Sequence, residues 1–245
     1  RNNLLKDEVW RDRVEPTLKT LAEWRRTSID LIRAIQDKYL SKKKNPLDVL
    51  IYAKGHDPHV LKDILLGQKP RIYLSYHITG VPNGIITNTS MIMRKLQEYF
   101  ICIDPYAIKD WDIVHAYDEA LQKGATEVCI KHCGVTLPLK EVQEAIDHIR
   151  TQIVERDYQL IESTHATVVC HLSEAPSYGV MSEVIYSTSI ANNPVYVLYP
   201  HKRRPSPFFE YYVRKTERII SGDNLNAMAE SLIGKMLSDI ERGVW

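Results

Sequence analysis

The chain has 245 residues, room for one large domain or one domain with an appendage at roughly 100–200 residues per domain. Its 32 Lys plus Arg against 31 Asp plus Glu leave a formal charge of +1, which argues against a polynucleotide groove, because gripping a polyanion takes a basic excess gathered on one face. Hydrophobic residues make up 44%, too many for a disordered chain, and no apolar run approaches the roughly 18 residues of a spanning helix, so a soluble globular protein away from membranes is expected. The start, Arg-Asn-Asn-Leu-Leu-Lys-Asp-Glu, is too acidic for a secretory signal and carries no Met, as in a piece of a longer chain.

Residues 1–69 read as a helical lead-in. Leu18, Leu21, Ile32, Ile35 and Tyr39 fall at spacings of three and four within residues 10–40, the stripe of a long helix or a helical pair. The Ser-Lys-Lys-Lys-Asn-Pro run at 41–46 ends it as a solvated turn. A short strand at 49–53 and a short helix at 60–66 follow, and His56 and His59 in the loop between them read as surface residues.

From Arg71 the pattern changes. Strands are expected at 72–76, 100–103, 167–172, 195–199 and 218–220, and helices at 91–99, 139–164, 180–191 and 225–240. Continuous apolar strands separated by helices imply an α/β domain over 70–245, a Rossmann-like or flavodoxin-like parallel sheet with helices on both faces. Such a sheet binds its ligand beyond the carboxyl ends of the strands, where the strand order reverses. Cys102 and Cys170 fall inside apolar strands, where a thiol behaves as a small hydrophobe, so a reducing, cytoplasmic setting without disulfides is expected. Cys129, His132 and Cys133 fall short of the four ligands of a structural zinc site, and the preferred reading is a strand end with two semi-buried thiols and no metal.

The segment Ser173-Glu174-Ala175-Pro176-Ser177-Tyr178-Gly179-Val180-Met181-Ser182-Glu183 carries most of the functional information. A turn followed by a helix start puts free N–H groups and a positive dipole end at the sheet edge, which suits an anion. Ser177 offers a hydroxyl, Gly179 a close backbone approach, and Glu183 an acid expected in the first helical turn; catalysis is preferred to capping because Val180 cannot complete a capping box. Asp157 lies on the apolar stripe formed by Val142, Ile146, Ile149, Ile153, Leu160 and Ile161, where a carboxylate must be paired, for instance with Arg156, or used. Three further segments reach the binding edge. These are Tyr76-His77-Ile78-Thr79-Gly80, Asp104-Pro105-Tyr106, whose Asp forms either a turn or a ligand contact, and the Lys202-Arg203-Arg204 run, which suits a phosphate or plain solvation.

Ile72-Tyr73-Leu74, Arg156-Asp157 with Leu160-Ile161, Ser177-x-Gly179-Val180-x-x-Glu183 and Pro194-Val195-Tyr196 together resemble the nucleoside 2-deoxyribosyltransferase superfamily over about residues 70–222. The Ser-x-Gly-Val-x-x-Glu spacing is most similar to the nucleoside 5′-monophosphate N-glycosidases. The lead-in, Asp104-Pro105 and Ile108-Lys109-Asp110 resemble a subgroup in which this domain follows an ATPase-like or nucleotide-kinase-like one, although no Gly-Lys-Ser/Thr loop is present. The resemblance implies Glu183 as a nucleophile on the anomeric carbon and Asp157 as its partner. It implies Tyr73, Tyr76, His77, Ile78, Gly80 and Asp104 around a small-molecule nucleotide, and Ser177, Gly179 and Ser206 on its 5′-phosphate, Ser206 in some members from the second subunit of a homodimer. No cofactor is implied. Tyr76 stands where the family tends to have Gly, His165 where an Asp is common, and the loop at 172–177 is longer. These departures leave two alternatives open: a nucleotide-sensing module that does not cleave, and a glycohydrolase acting on NAD.

Overall fold

The computed structural model describes residues 69–78, 82–107, 110–131 and 134–245. The expected elements of the lead-in, His56 and His59, and also Thr79, Gly80, Ile108, Lys109, His132 and Cys133 lie outside the described residues.

Five parallel strands form the sheet: β1 (Arg71–Tyr76), β2 (Ile101–Ile103), β5 (Ala166–Cys170), β6 (Val195–Leu198) and β7 (Ile219–Ile220). Their order is β2-β1-β5-β6-β7, the doubly wound flavodoxin-like arrangement, with the reversal point between β1 and β5. Side chains alternate across β1, as the period of two requires. Ile72, Leu74 and Tyr76 enter one core with Ile92 and Leu96 of α1 (Asn83–Gln97) and Met228, Leu232 and Met236 of α6 (Leu225–Glu241). Tyr73 faces the other side, joining Leu160 and Ile161 of α3 (Leu139–Glu162). On that side Val169, Val195 and Val197 pack on Val180 and Val184 of α4 (Tyr178–Ser189) and on Phe209 and Val213 of α5 (Pro207–Val213).

A fourth cluster joins α2 (Trp111–Gln122), the antiparallel hairpin β3 (Glu127–Ile130) and β4 (Val135–Pro138), and the first half of α3 through Val114, Tyr117, Val128, Ile130, Val142 and Ile146. The apolar stripe of α3 therefore serves two cores, and the gap between them opens at residues 153–158.

Several boundaries differ from the sequence reading. Helix α1 starts at Asn83, well before residue 91, because Thr89 and Ile92 pack inward, and the hydroxyls of Thr87, Thr89 and Ser90 are satisfied by the carbonyls of Asn83, Ile85 and Ile86 one turn back. The reading assigned no helix at α2 or α5. Pro207 opens α5, the one helical position where its missing N–H costs nothing. Cys102 and Cys170 are buried as expected, which pushes both thiols up, Cys170 to about 12. Cys129 is exposed rather than semi-buried, because it points outward on β3 while its neighbours Val128 and Ile130 point inward. No described helix is long and apolar enough to cross a membrane.

Candidate functional site

A cavity of about 420 Å³ opens at the carboxyl edge of the sheet, at the reversal point. Tyr76, His77 and Ile78 after β1, Pro105 and Tyr106 after β2, Ser177 and Gly179 at the start of α4, and Asp157 and Glu183 all line it. The two acids thus come together from helices α3 and α4, as anticipated.

Glu183 is held from the strand beneath it. Tyr73 donates its hydroxyl to Oε1 at 2.8 Å, and Ser75 donates to Oε2. Both come from the face of β1 that looks toward α4, so strand alternation alone aims two donors at one carboxyl. Burial lifts the Glu183 carboxyl to about 8, nearby Asp157 adds to the rise, and the hydroxyls of Ser75 and Tyr73 pull against it. Ser75 is fully buried in an otherwise apolar strand, and that misfit is the signal by which the sequence could have revealed it.

Glu183 is not in the first helical turn. Helix α4 begins at Tyr178 with Ser177 as its N-cap, so Glu183 is the sixth helical residue and no acid stands in the first turn. The Ser177 hydroxyl accepts the Val180 N–H at 3.3 Å, which satisfies the helix end without Glu183. Capping is thereby excluded as the reason for Glu183. Ser177→Ala is expected to cost about 1 kcal/mol of stability, measured as a lower thermal midpoint. At Gly179 an added Cβ would meet only the Ser177 Oγ, at 3.9 Å, so the cavity side of this residue is open space.

Asp157 is both paired and placed in the cavity. Arg156 donates to its Oδ1 through Nη2 at 2.8 Å and Nε at 3.1 Å, and through Nη1 to Oδ2 of Asp110. Burial raises the Asp157 carboxyl to about 6 against the pull of Arg156. Tyr158 shares a hydrogen bond with Ser182, and its ring stacks on Tyr186 at 3.9 Å, closing the wall between α3 and α4.

The other candidates separate. The Tyr76 hydroxyl donates to Asp104 Oδ1 at 2.9 Å, and the Tyr106 N–H donates to the same oxygen at 3.0 Å. Asp104 thus supports the turn that follows β2 and is not among the lining residues, whereas Tyr76 lines the cavity. His77 lines the cavity with a buried Nδ1 that has no hydrogen-bond partner among the described residues. His165 has a structural task, its Nδ1 accepting the Arg71 N–H at 3.0 Å. Ser206 precedes α5, is exposed and lies outside the cavity wall; Lys202, Arg203 and Arg204 are exposed too. Trp111, Tyr158 and Ser182 are lining residues that the sequence reading did not single out. The Trp111 and Tyr158 rings give the cavity an aromatic component suited to a planar group.

Among the described residues no group of His, Cys, Asp and Glu is arranged to hold a metal ion. No protein-family model matches the chain, and no curated protein matches it.

Proposed function

We propose that the chain cleaves or transfers the N-glycosidic bond of a nucleoside 5′-monophosphate or related nucleotide, with Glu183 as nucleophile. The observation that carries this reading is a half-buried glutamate, Glu183, whose carboxyl is held by Tyr73 and Ser75 in a partly aromatic cavity that also contains Asp157. An ionised Glu183 oxygen attacks the anomeric carbon as the C1′–N bond breaks and its electrons pass to the base. The departing base takes a proton, for which Asp157 is the nearby carboxyl able to serve. Water or a second base then attacks the same carbon and frees Glu183, so configuration is retained overall. The start of α4 at Ser177 and Gly179 suits the 5′-phosphate.

A panel of ribo- and deoxyribonucleotides, with NAD included, tests the reading by chromatography of released base; no release from any of them by the parent protein would sink it. A second reading is favoured by one observation: Asp157 is already paired and Glu183 is lifted to about 8, so the resting site is close to neutral. Under that reading the chain senses a nucleotide without cleaving it, and calorimetry would register binding with no base released.

The phosphate assignment has its own test. Ser177→Asp keeps a good helix cap but sets a negative charge against a phosphate. The expected result is a KM raised roughly tenfold or more for nucleotides and little changed for the matching nucleosides, by the like-charge penalty. The homodimer belongs to the same proposal. Ser206 reaches a phosphate only from a second copy, and Phe208 and Tyr211 beside it are 76% and 75% exposed, apolar surface that a second copy would cover.

A further inference from the structure

The Asp110 carboxylate works in two directions. Its Oδ1 accepts the Trp111 N–H at 2.9 Å and so caps α2, and its Oδ2 accepts Nη1 of Arg156. The two other donors of that guanidinium converge on Oδ1 of Asp157, which leaves Oδ2 of Asp157 unused by Arg156. The three side chains are only 15–25% exposed, so this charged chain runs largely out of water from the start of α2 to the cavity.

Consecutive residues on a helix do not face each other, so Arg156 has no intrinsic reason to fold back over Asp157. An anchor at its far end supplies one, and Asp110 is that anchor. A planar fork held at both ends also fixes orientation, which a flexible lysine could not do. The next residue after the anchor, Trp111, is itself part of the cavity wall.

We infer that Asp110, acting through Arg156, is a positioning residue for Asp157: it ties the direction of that carboxyl in the cavity to the N-terminus of α2. The consequence for turnover rests on the glycosidic reading of the site; the positioning itself does not.

Asp110→Asn and Arg156→Gln separate this role from simple scaffolding. Asn caps a helix as well as Asp, so the first variant leaves α2 capped while it removes the carboxylate oxygen that accepts Nη1 of Arg156. The charged or titratable groups around Asp157 are Arg156 on its own helix, Asp110 at α2, Asp104 after β2, Glu183 on α4 and Tyr73 on β1. Removing the Asp110 charge takes away a repulsion, which alone would lower Asp157, but it also frees the far end of the guanidinium; with its anchor gone Arg156 loosens from Asp157, so Asp157 should titrate at higher pH. Removing the Arg156 charge should move it up by about one unit or more. Carbon-13 carboxyl NMR of the Asp-labelled 245-residue chain, with the signal assigned from Asp157→Asn, reads both. Upward shifts in both variants are the expected result, and the same two shifts should appear in the pH profile of base release. An Asp157 titration unmoved in both variants, or moved down in Asp110→Asn, would overturn the inference. If Arg156→Gln fails to fold, Arg156→Lys replaces it, with a smaller upward step expected because the charge stays and the fork goes; no upward step would count against the inference. If the parent releases no base at all, the proposed function fails while the carboxyl titration still decides this point.

Discussion

Glu183→Gln is expected to reduce base release on the order of 10⁴-fold or more, the scale on which enzymes lose turnover with their nucleophile, while leaving the protein at least as stable as the parent at pH 8. The loss follows from chemistry. A carboxamide cannot form the glycosyl ester, although it still fills the space between Tyr73 and Ser75. The stability follows from linkage. The folded Glu183 carboxyl is raised to about 8 by burial, so its favourable contribution is fully present below the unfolded value and is lost as pH rises through about 8. Above that pH the parent carries a buried charge that the Gln variant does not. Loss of turnover with no loss of melting temperature separates a functional carboxyl from a structural one. The same shift, together with that of Asp157, fixes the pH dependence of the parent. Attack needs Glu183 ionised and the departing base needs Asp157 protonated, so base release should rise about tenfold per unit below about 6, stay level between about 6 and 8, and fall above 8. A profile with no rise between pH 4 and 6 would contradict the need for an ionised Glu183.

Asp239→Ala carries the largest expected effect on stability. Asp239 is 1% exposed on α6, on the sheet face opposite α3 and α4. It accepts the Tyr196 hydroxyl at 2.8 Å, Arg218 Nε at 3.1 Å, Lys235 Nζ at 3.3 Å and a nitrogen of Arg242. Burial alone would raise this carboxyl, and the hydrogen bonds from Tyr196, Arg218, Arg242 and Lys235 overturn that and hold it at about 2. Removing it strands Arg218, 5% exposed and lying 5.0 Å from the centre of the Tyr196 ring, as an uncompensated buried charge. The expected cost is about 3–5 kcal/mol at pH 7, a fall of roughly 10 °C in the melting midpoint. The sign with pH is set by the depressed value. Stability from Asp239 is present above the ordinary carboxyl range and lost as pH falls through about 2, so the gap between variant and parent should close over that interval. Base release by the folded variant below its melting point should match the parent. A gap unchanged between pH 4 and pH 2 would show that packing, not charge, holds this corner.

The sequence made the sheet legible because Ile72, Val168 and Val197 belong to apolar strands buried on both faces, a pattern few other structures share. The first half of α1, Asn-Gly-Ile-Ile-Thr-Asn-Thr-Ser, was not legible, because its β-branched and hydroxyl residues have poor helix propensity and gain their helical state from Thr89 and Ile92 packing inward. Helix α2 carried its signals openly, with Asp110 before Val114, Tyr117 and Ala120 at spacings of three, and was passed over for its place between more apolar strands. In the site, Glu183 could be found from its distance beyond a strand end, but its turn was misjudged because Ser177, rather than a residue nearer Val180, caps α4. Asp104 was ambiguous in sequence since a turn and a ligand contact use the same residue there. Arg156 with Asp110 could not be seen in advance, because 46 residues separate the partners and only the packing of α2 on α3 brings them together.

The central claim is that Glu183 bonds covalently to the sugar. It is tested most directly by quenching the protein during turnover of whichever nucleotide releases base, digesting it, and locating any added pentose phosphate by mass spectrometry. The account expects that mass on the peptide carrying Glu183, absent from Glu183→Gln and lost on chase with water or free base. Rapid base release with no adduct, or an adduct on Asp157, would contradict it.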